Sequence, residues 1–150
     1  MFTSLIMYLL FSQSVPTATP QHQTSGAIAA LQASSPNVEW DVKSAAMADI
    51  TGDGIVDTVV IGYNARAVWL GLVPGMKSGA LGKPQVIELE VCRRPVHIQL
   101  SPATCEGSTG PLLGCKVVKG ASEITVVDDA CDPYHVYWDR ALKTLDWWRL

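Results

Sequence analysis

The strongest constraint on this chain is a two-residue alternation, broken every few residues by Gly, Pro or Asp. Val38, Trp40 and Val42 alternate with Glu39, Asp41 and Lys43; Ile87, Leu89 and Val91 with Glu88 and Glu90; Val96, Ile98 and Leu100 with His97 and Gln99. Successive side chains of a strand point to opposite faces, so each segment fits a strand with one wet face. Thr58–Tyr63 and Ala67–Val73 are two further strand segments, separated by the hairpin turn Asn64-Ala65-Arg66. Val117-Val118, Ile124–Val127, His135–Trp138 and Thr144–Arg149 extend the series. The expectation is a mainly β fold, an antiparallel sandwich, barrel or meander of about eight short strands. No long helical pattern separates the strands, which disfavours a doubly wound α/β arrangement.

The amino-terminal part has a different character. Leu5–Phe11 is a short apolar run, followed by small and polar residues with two prolines. A membrane span takes roughly 20 apolar residues. Residues 1–19 therefore read as a signal peptide cleaved near Ser14 or Ala18, although no Lys or Arg precedes the run. Residues 20–26 read as a disordered lead-in and 27–150 as a single β domain. Ser25–Gln32 carries the only helical signal, a short N-terminal helix with Ser25 as its cap and Ser34–Asn37 as its stop.

Cysteine usage agrees with export. Cys92, Cys105, Cys115 and Cys131 contain no close C-x2-C pair of the kind zinc sites prefer. Even-numbered, widely spaced cysteines behind a signal read as disulfides, and three pairings are open. Cys105–Cys115 is favoured because Glu106–Gly114 is rich in Gly, Pro, Ser and Thr and can fold back on itself. Cys92–Cys131 then follows. A periplasmic or secreted location is expected.

Charge excludes one class of partner. Eleven Lys and Arg against fourteen Asp and Glu leave a net charge of -3, and the basic residues are scattered. Nucleic acid, which is held by clustered basic residues, is not an expected partner.

The segment richest in chemistry is Asp49-Ile50-Thr51-Gly52-Asp53-Gly54-Ile55-Val56-Asp57. Counted from Asp49, side-chain oxygens fall at positions one, three, five and nine (Asp49, Thr51, Asp53, Asp57) and a backbone carbonyl at position seven (Ile55). Calcium, a hard cation, takes six to eight oxygens at about 2.4 Å, and a tight loop can present alternate residues to one centre. EF-hands and dockerins need a carboxylate at position twelve and flanking helices. Val60 stands there, in a strand-like run. Ala48–Gly62 resembles instead the loop of FG-GAP and VCBS repeats, in which an acidic D-x-N-G-D-G-x-x-D segment leads into an apolar strand ending in Gly. The resemblance implies a structural calcium ion held by Asp49, Asp53 and Asp57, with Thr51 where the family has Asn or Asp. It covers about a tenth of the chain, in a single copy.

No familiar catalytic arrangement is legible, and the chain is not read as an enzyme. G-x-S-x-G and S-x-x-K are missing, and Gly110–Lys116 lacks the spacing of a phosphate loop. His97 and His135 lie on expected strands, His135 sharing a face with Tyr137. Trp147 and Trp148 must face opposite sides; Trp147 is expected in the core with Leu145, and Trp148 partly exposed beside Asp146. Trp148, His135 and Tyr137 are the candidate partner-binding residues, for an unknown protein or glycan. The reading is an exported structural or interaction module with a calcium-stabilised hairpin. The alternatives are a secreted enzyme or enzyme inhibitor with a loop-built site, and a carbohydrate-binding module using Trp148 or Trp69.

Overall fold

A computed structural model describes residues 20–150; the expected signal peptide, residues 1–19, lies outside the described residues. Eleven strands form two main antiparallel sheets and one small hairpin. The first sheet has β3 (Asp57–Tyr63), β4 (Val68–Val73) and β5 (Gln85–Leu89) in that order. Two short strands, β1 (Glu39–Trp40) and β2 (Ala46–Ala48), follow one another along the free side of β3. The second sheet runs β11 (Thr144–Trp148), β10 (Tyr134–Asp139), β9 (Ser122–Val127), β6 (His97–Pro102). A hairpin of β7 (Glu106–Gly107) and β8 (Gly110–Pro111) lies inside the smaller disulfide loop. This is the mainly β, antiparallel fold expected from the alternation.

The sheets pack face to face. Val59, Ile61, Val68, Leu70, Leu72 and Leu89 meet Ile124, Val126, Val136 and Leu145. Helix α1 (Pro20–Ser34) covers the opposite face of the first sheet, burying Ala27 and Leu31 against Val38, Trp40, Val60 and Val73. Burying a side chain such as Leu31 stabilises the fold by roughly 1.5–3 kcal/mol. With apolar layers on both sides, β3 needs an unbroken apolar run, whereas a strand with one wet face alternates. Gly62 and Gly71 lie on the helix-covered face. A Cβ at Gly62 would strike Val38 and stand 2.7 Å from the Trp40 ring, and one at Gly71 would stand 2.5 Å from Leu31. The glycines let the indole and the leucine lie flat on the sheet.

Five local readings are corrected. Pro20–Gly26, read as a lead-in, is the first half of α1. Proline is preorganised for a first helical turn. The Thr24 and Ser25 hydroxyls donate back to the carbonyls of Pro20 and Gln21, at 3.1 and 3.0 Å, so Ser25 is not a cap. The strand expected through Val42 breaks after Trp40, and Val42 is 60% exposed in a 3-10 turn, Val42–Ser44. There the Asp41 carboxylate accepts from the Lys43 amide and the Ser44 hydroxyl accepts from the Ile61 amide at 2.8 Å, filling the lost rung of the ladder. Val117-Val118 is a loop, because Cys115 is tied back and the chain turns at Gly120, whose φ is +88°. Trp147 faces inward as expected but sits at the end of the sandwich, 43% exposed, edge-on to Tyr134 with ring centroids 4.9 Å apart.

Both expected disulfides form. Cys92–Cys131 joins the end of β5 to the loop before β10, and so ties the two sheets; Cys105–Cys115 closes the loop that holds β7 and β8. With partners 39 and 10 positions apart in sequence, loop entropy gives stabilisations of about 4 and about 3 kcal/mol. A single side chain also stitches the sheet edges: Gln85 donates to the Lys143 carbonyl at 2.8 Å and accepts from the Leu145 amide at 3.2 Å. No helix among the described residues is long and apolar enough to cross a membrane.

The glycine seats are testable. Gly62→Ala should destabilise the protein by about 1–3 kcal/mol in urea melts, because its methyl group displaces Trp40 or Val38. A loss below about 0.5 kcal/mol would contradict the seating argument.

Candidate functional site

The acidic segment is the turn of the β2–β3 hairpin, with Ala48 opposite Asp57. Its carboxylates are spent on the backbone. Asp49 Oδ1 accepts from the amides of Gly52 and Asp53 at 2.6 and 3.1 Å, and Oδ2 from Gly54 at 2.9 Å. Asp53 accepts from Ile55 at 2.9 Å. Asp57 Oδ2 accepts from Ile50 and Thr51 at 2.8 and 2.9 Å, and Oδ1 from Gly75 at 2.9 Å. Gly52 and Gly54 take the positive φ values, +67° and +85°, that the tight turn requires.

These residues do not gather around one centre. Asp53 is exposed, Asp49 is half-buried and Asp57 is completely buried. Oxygens sharing a calcium ion at about 2.4 Å lie within about 4.8 Å of one another. Among the described residues, the trio of His, Cys, Asp or Glu side chains that comes that close is Cys92, Asp128 and Cys131, and both its sulfurs are in a disulfide. The Thr51 hydroxyl is buried with no hydrogen-bond partner. One orphaned hydroxyl is not a coordination shell. As arranged, the carboxylates of Asp49, Asp53 and Asp57 do not all come within 4.8 Å of one another, and no distance places the Thr51 hydroxyl or the Ile55 carbonyl with them.

Three further carboxylates follow the same rule. Asp128 accepts from Ala130 and Cys131 through Oδ1 and from Cys92 at 2.6 Å through Oδ2, so it organises the chain around the larger disulfide. Asp139 accepts from Ala141 and Leu142 at the β10–β11 turn. Gly114 packs so tightly on Asp139 that a Cβ there would collide with the carboxylate. Glu123 accepts from the amide and hydroxyl of Thr104 at 3.1 and 3.3 Å.

The second candidate region is the outer face of the second sheet. Strand register places His135 beside Trp148 and Thr125, Thr125 beside Gln99, and Tyr137 beside Asp146. The His135 and Trp148 rings stack with centroids 4.2 Å apart and planes at 12°. The Tyr137 hydroxyl donates to Asp146 Oδ2 at 2.9 Å. Burial, and then the Asp146 acceptor and its charge, push the Tyr137 phenol up to about 12. The three candidate partner-binding residues thus share one face. Trp69 does not join them: it packs with the helix-side cluster of the first sheet.

Neither His97 nor His135 is set up for nucleophilic catalysis. His97 Nε2 lies 3.3 Å from Asp129 at an exposed end of β6, and His135 is stacked on Trp148. Among the described residues no free thiol exists and no hydroxyl donates to either ring. The residue that sequence reasoning missed is Arg140, which bonds the carbonyls of Thr51 and Gly52 at 2.9 and 2.7 Å. Its partners lie almost 90 residues away in sequence. No family model matches the chain, and no curated protein or solved structure matches it.

The buried acids give opposite pH signatures. Burial raises the Asp57 carboxyl above its ordinary 3.8, and the amides of Thr51, Gly75 and Ile50 offset this only in part. Its contribution to stability is therefore full below 3.8 and lost as pH rises through the folded-state value. Burial also pushes Asp128 up, but the amides of Cys131, Ala130, Cys92 and Arg93 outweigh it and hold the group below 3.8. Its contribution is present above 3.8 and lost as pH falls through the lower folded-state value. Asp128→Asn should cost about 1–3 kcal/mol at neutral pH, with the gap to wild type shrinking in urea melts as pH falls below 3.8. A gap that does not change with pH would contradict the capping role.

Proposed function

We propose that this protein works outside the cytoplasm as an interaction module, binding neutral glycan chains on the outer face of its second sheet. The observation that carries this reading is the stacked, part-exposed pair of Trp148 and His135, with buried Tyr137 beside it, on a sheet face that no helix covers, while α1 covers the corresponding face of the first sheet. Aromatic rings offer apolar area for the flat faces of sugar rings, and neighbouring hydroxyl and amide side chains such as Thr125 and Gln99 can bond sugar hydroxyls.

Charge narrows the choice of partner. Strands β6, β9, β10 and β11 contain no Lys or Arg, which disfavours nucleic acid and anionic lipid. The acids on the face, Glu123, Asp139 and Asp146, are already hydrogen-bonded within the protein, so a basic partner finds no free carboxylate there. Aliphatic groups are few on this face, with Val127 the one aliphatic side chain of β9 that points outward, so it lacks the apolar centre of a tight protein interface. Export is supported by the two disulfides, which persist in oxidising compartments.

The test is a panel of immobilised neutral oligosaccharides probed with the oxidised protein. Trp148→Ala should weaken binding about tenfold or more, the equivalent of losing one stacking contact. Trp69→Ala, on the opposite sheet, should leave binding per folded molecule unchanged. Capture of no glycan, or binding indifferent to Trp148→Ala, would overturn the reading.

A further inference from the structure

We infer that the acidic hairpin is a clasp that works without metal, with the guanidinium of Arg140 supplying the positive charge that holds the turn. The carboxylates of Asp49, Asp53 and Asp57 each accept from backbone amides inside the loop, which leaves the carbonyls of the turn to find donors elsewhere. Arg140 provides two of those donor contacts from one nitrogen, at 2.9 Å to Thr51 and 2.7 Å to Gly52. Gly52 leaves no room for a Cβ beside the guanidinium, so the turn and the arginine are fitted to each other.

The contact also joins the two sheets. Arg140 follows β10 directly, and its own amide donates to the Gly114 carbonyl at 2.9 Å. The Ser122 amide, at the start of β9, donates to the Asp49 carbonyl at 2.7 Å. Ile50 completes the joint by entering the core between the sheets, 2% exposed. A hairpin held this way from both sides carries its own cation and has a fixed conformation before any ion arrives. The segment that looks most like a calcium loop is in this account the joint between the sheets.

Two measurements decide it. In the first, the oxidised wild-type protein is melted in EDTA and in about 10 mM calcium chloride. A site with a Kd on the order of 10⁻⁴–10⁻³ M would raise Tm by several degrees at that concentration. The expected shift is under about 1 °C. In the second, Arg140→Met should lower Tm by about 5–10 °C, the effect of losing hydrogen bonds from a charged donor. The amides of Gly52, Asp53 and Gly54 should then exchange with deuterium faster relative to those of β9. Arg140→Lys keeps the charge without the planar fork and should fall between wild type and Met; it replaces the Met variant if that chain does not fold. A calcium-dependent rise in the wild-type Tm that Asp53→Ala abolishes would overturn the inference. So would loop amides whose protection is indifferent to residue 140.

Discussion

A buried carboxylate surrounded by backbone amides is the interaction on which this structure turns. Asp57 is fully buried, and its oxygens receive the amides of Ile50, Thr51 and Gly75. One side chain thereby fixes the hairpin turn, the start of β3 and the loop that follows β4. An uncompensated buried charge costs several kcal/mol, so such a group is tolerated only where hydrogen bonds replace its water. Asp128 and Asp139 repeat the device at the larger disulfide and at the β10–β11 turn. Short strands joined by irregular turns leave many amides outside the ladders, and buried amides need acceptors. Aspartate, short and doubly accepting, meets that need at each corner of the sandwich.

The layering then decides which surface is free. The first sheet lies between α1 and the second sheet, and its glycines bring Trp40 and Leu31 close to the backbone. The second sheet packs on the core through one face, and on its other face the end of β10 is covered, with Tyr137 and Asp139 buried and Gly114 seated on Asp139. Its outer face is therefore where alternation puts polar side chains, and also where the His135–Trp148 pair stands. The arrangement divides labour between the sheets: one is covered on both sides, and the other leaves the part of its outer face around His135 and Trp148 open.

Much of the fold was legible in the residues because period two is a local signal. The strands from Asp57 to Val73, the turn at Asn64, and the strands at Ile124, His135 and Thr144 follow from alternation and turn chemistry alone. The pairing of Cys105 with Cys115 followed from the flexibility of the loop between them. What was not legible depends on partners distant in sequence. Val42 kept the strand period, yet a serine hydroxyl two residues on took over its rung. The start of α1 lacks helical composition but is anchored where Gln23 donates to the Val56 carbonyl at 2.8 Å. Trp147 lies on the face its parity demands, but the sandwich ends before it. The spacing of oxygens in Asp49–Asp57 marks a loop between two strands and suggested calcium, whereas the direction of each carboxylate depends on amides in the loop and at Gly75. Arg140 carried no local signal at all.

The most direct test of this account is the titration of the Asp57 side-chain carboxyl by carbon-13 NMR, with and without calcium. The account predicts a midpoint above the ordinary 3.8 that calcium does not move, because the group faces amides in a buried pocket. A midpoint driven down by added calcium would show the carboxylate facing a cation and would contradict it.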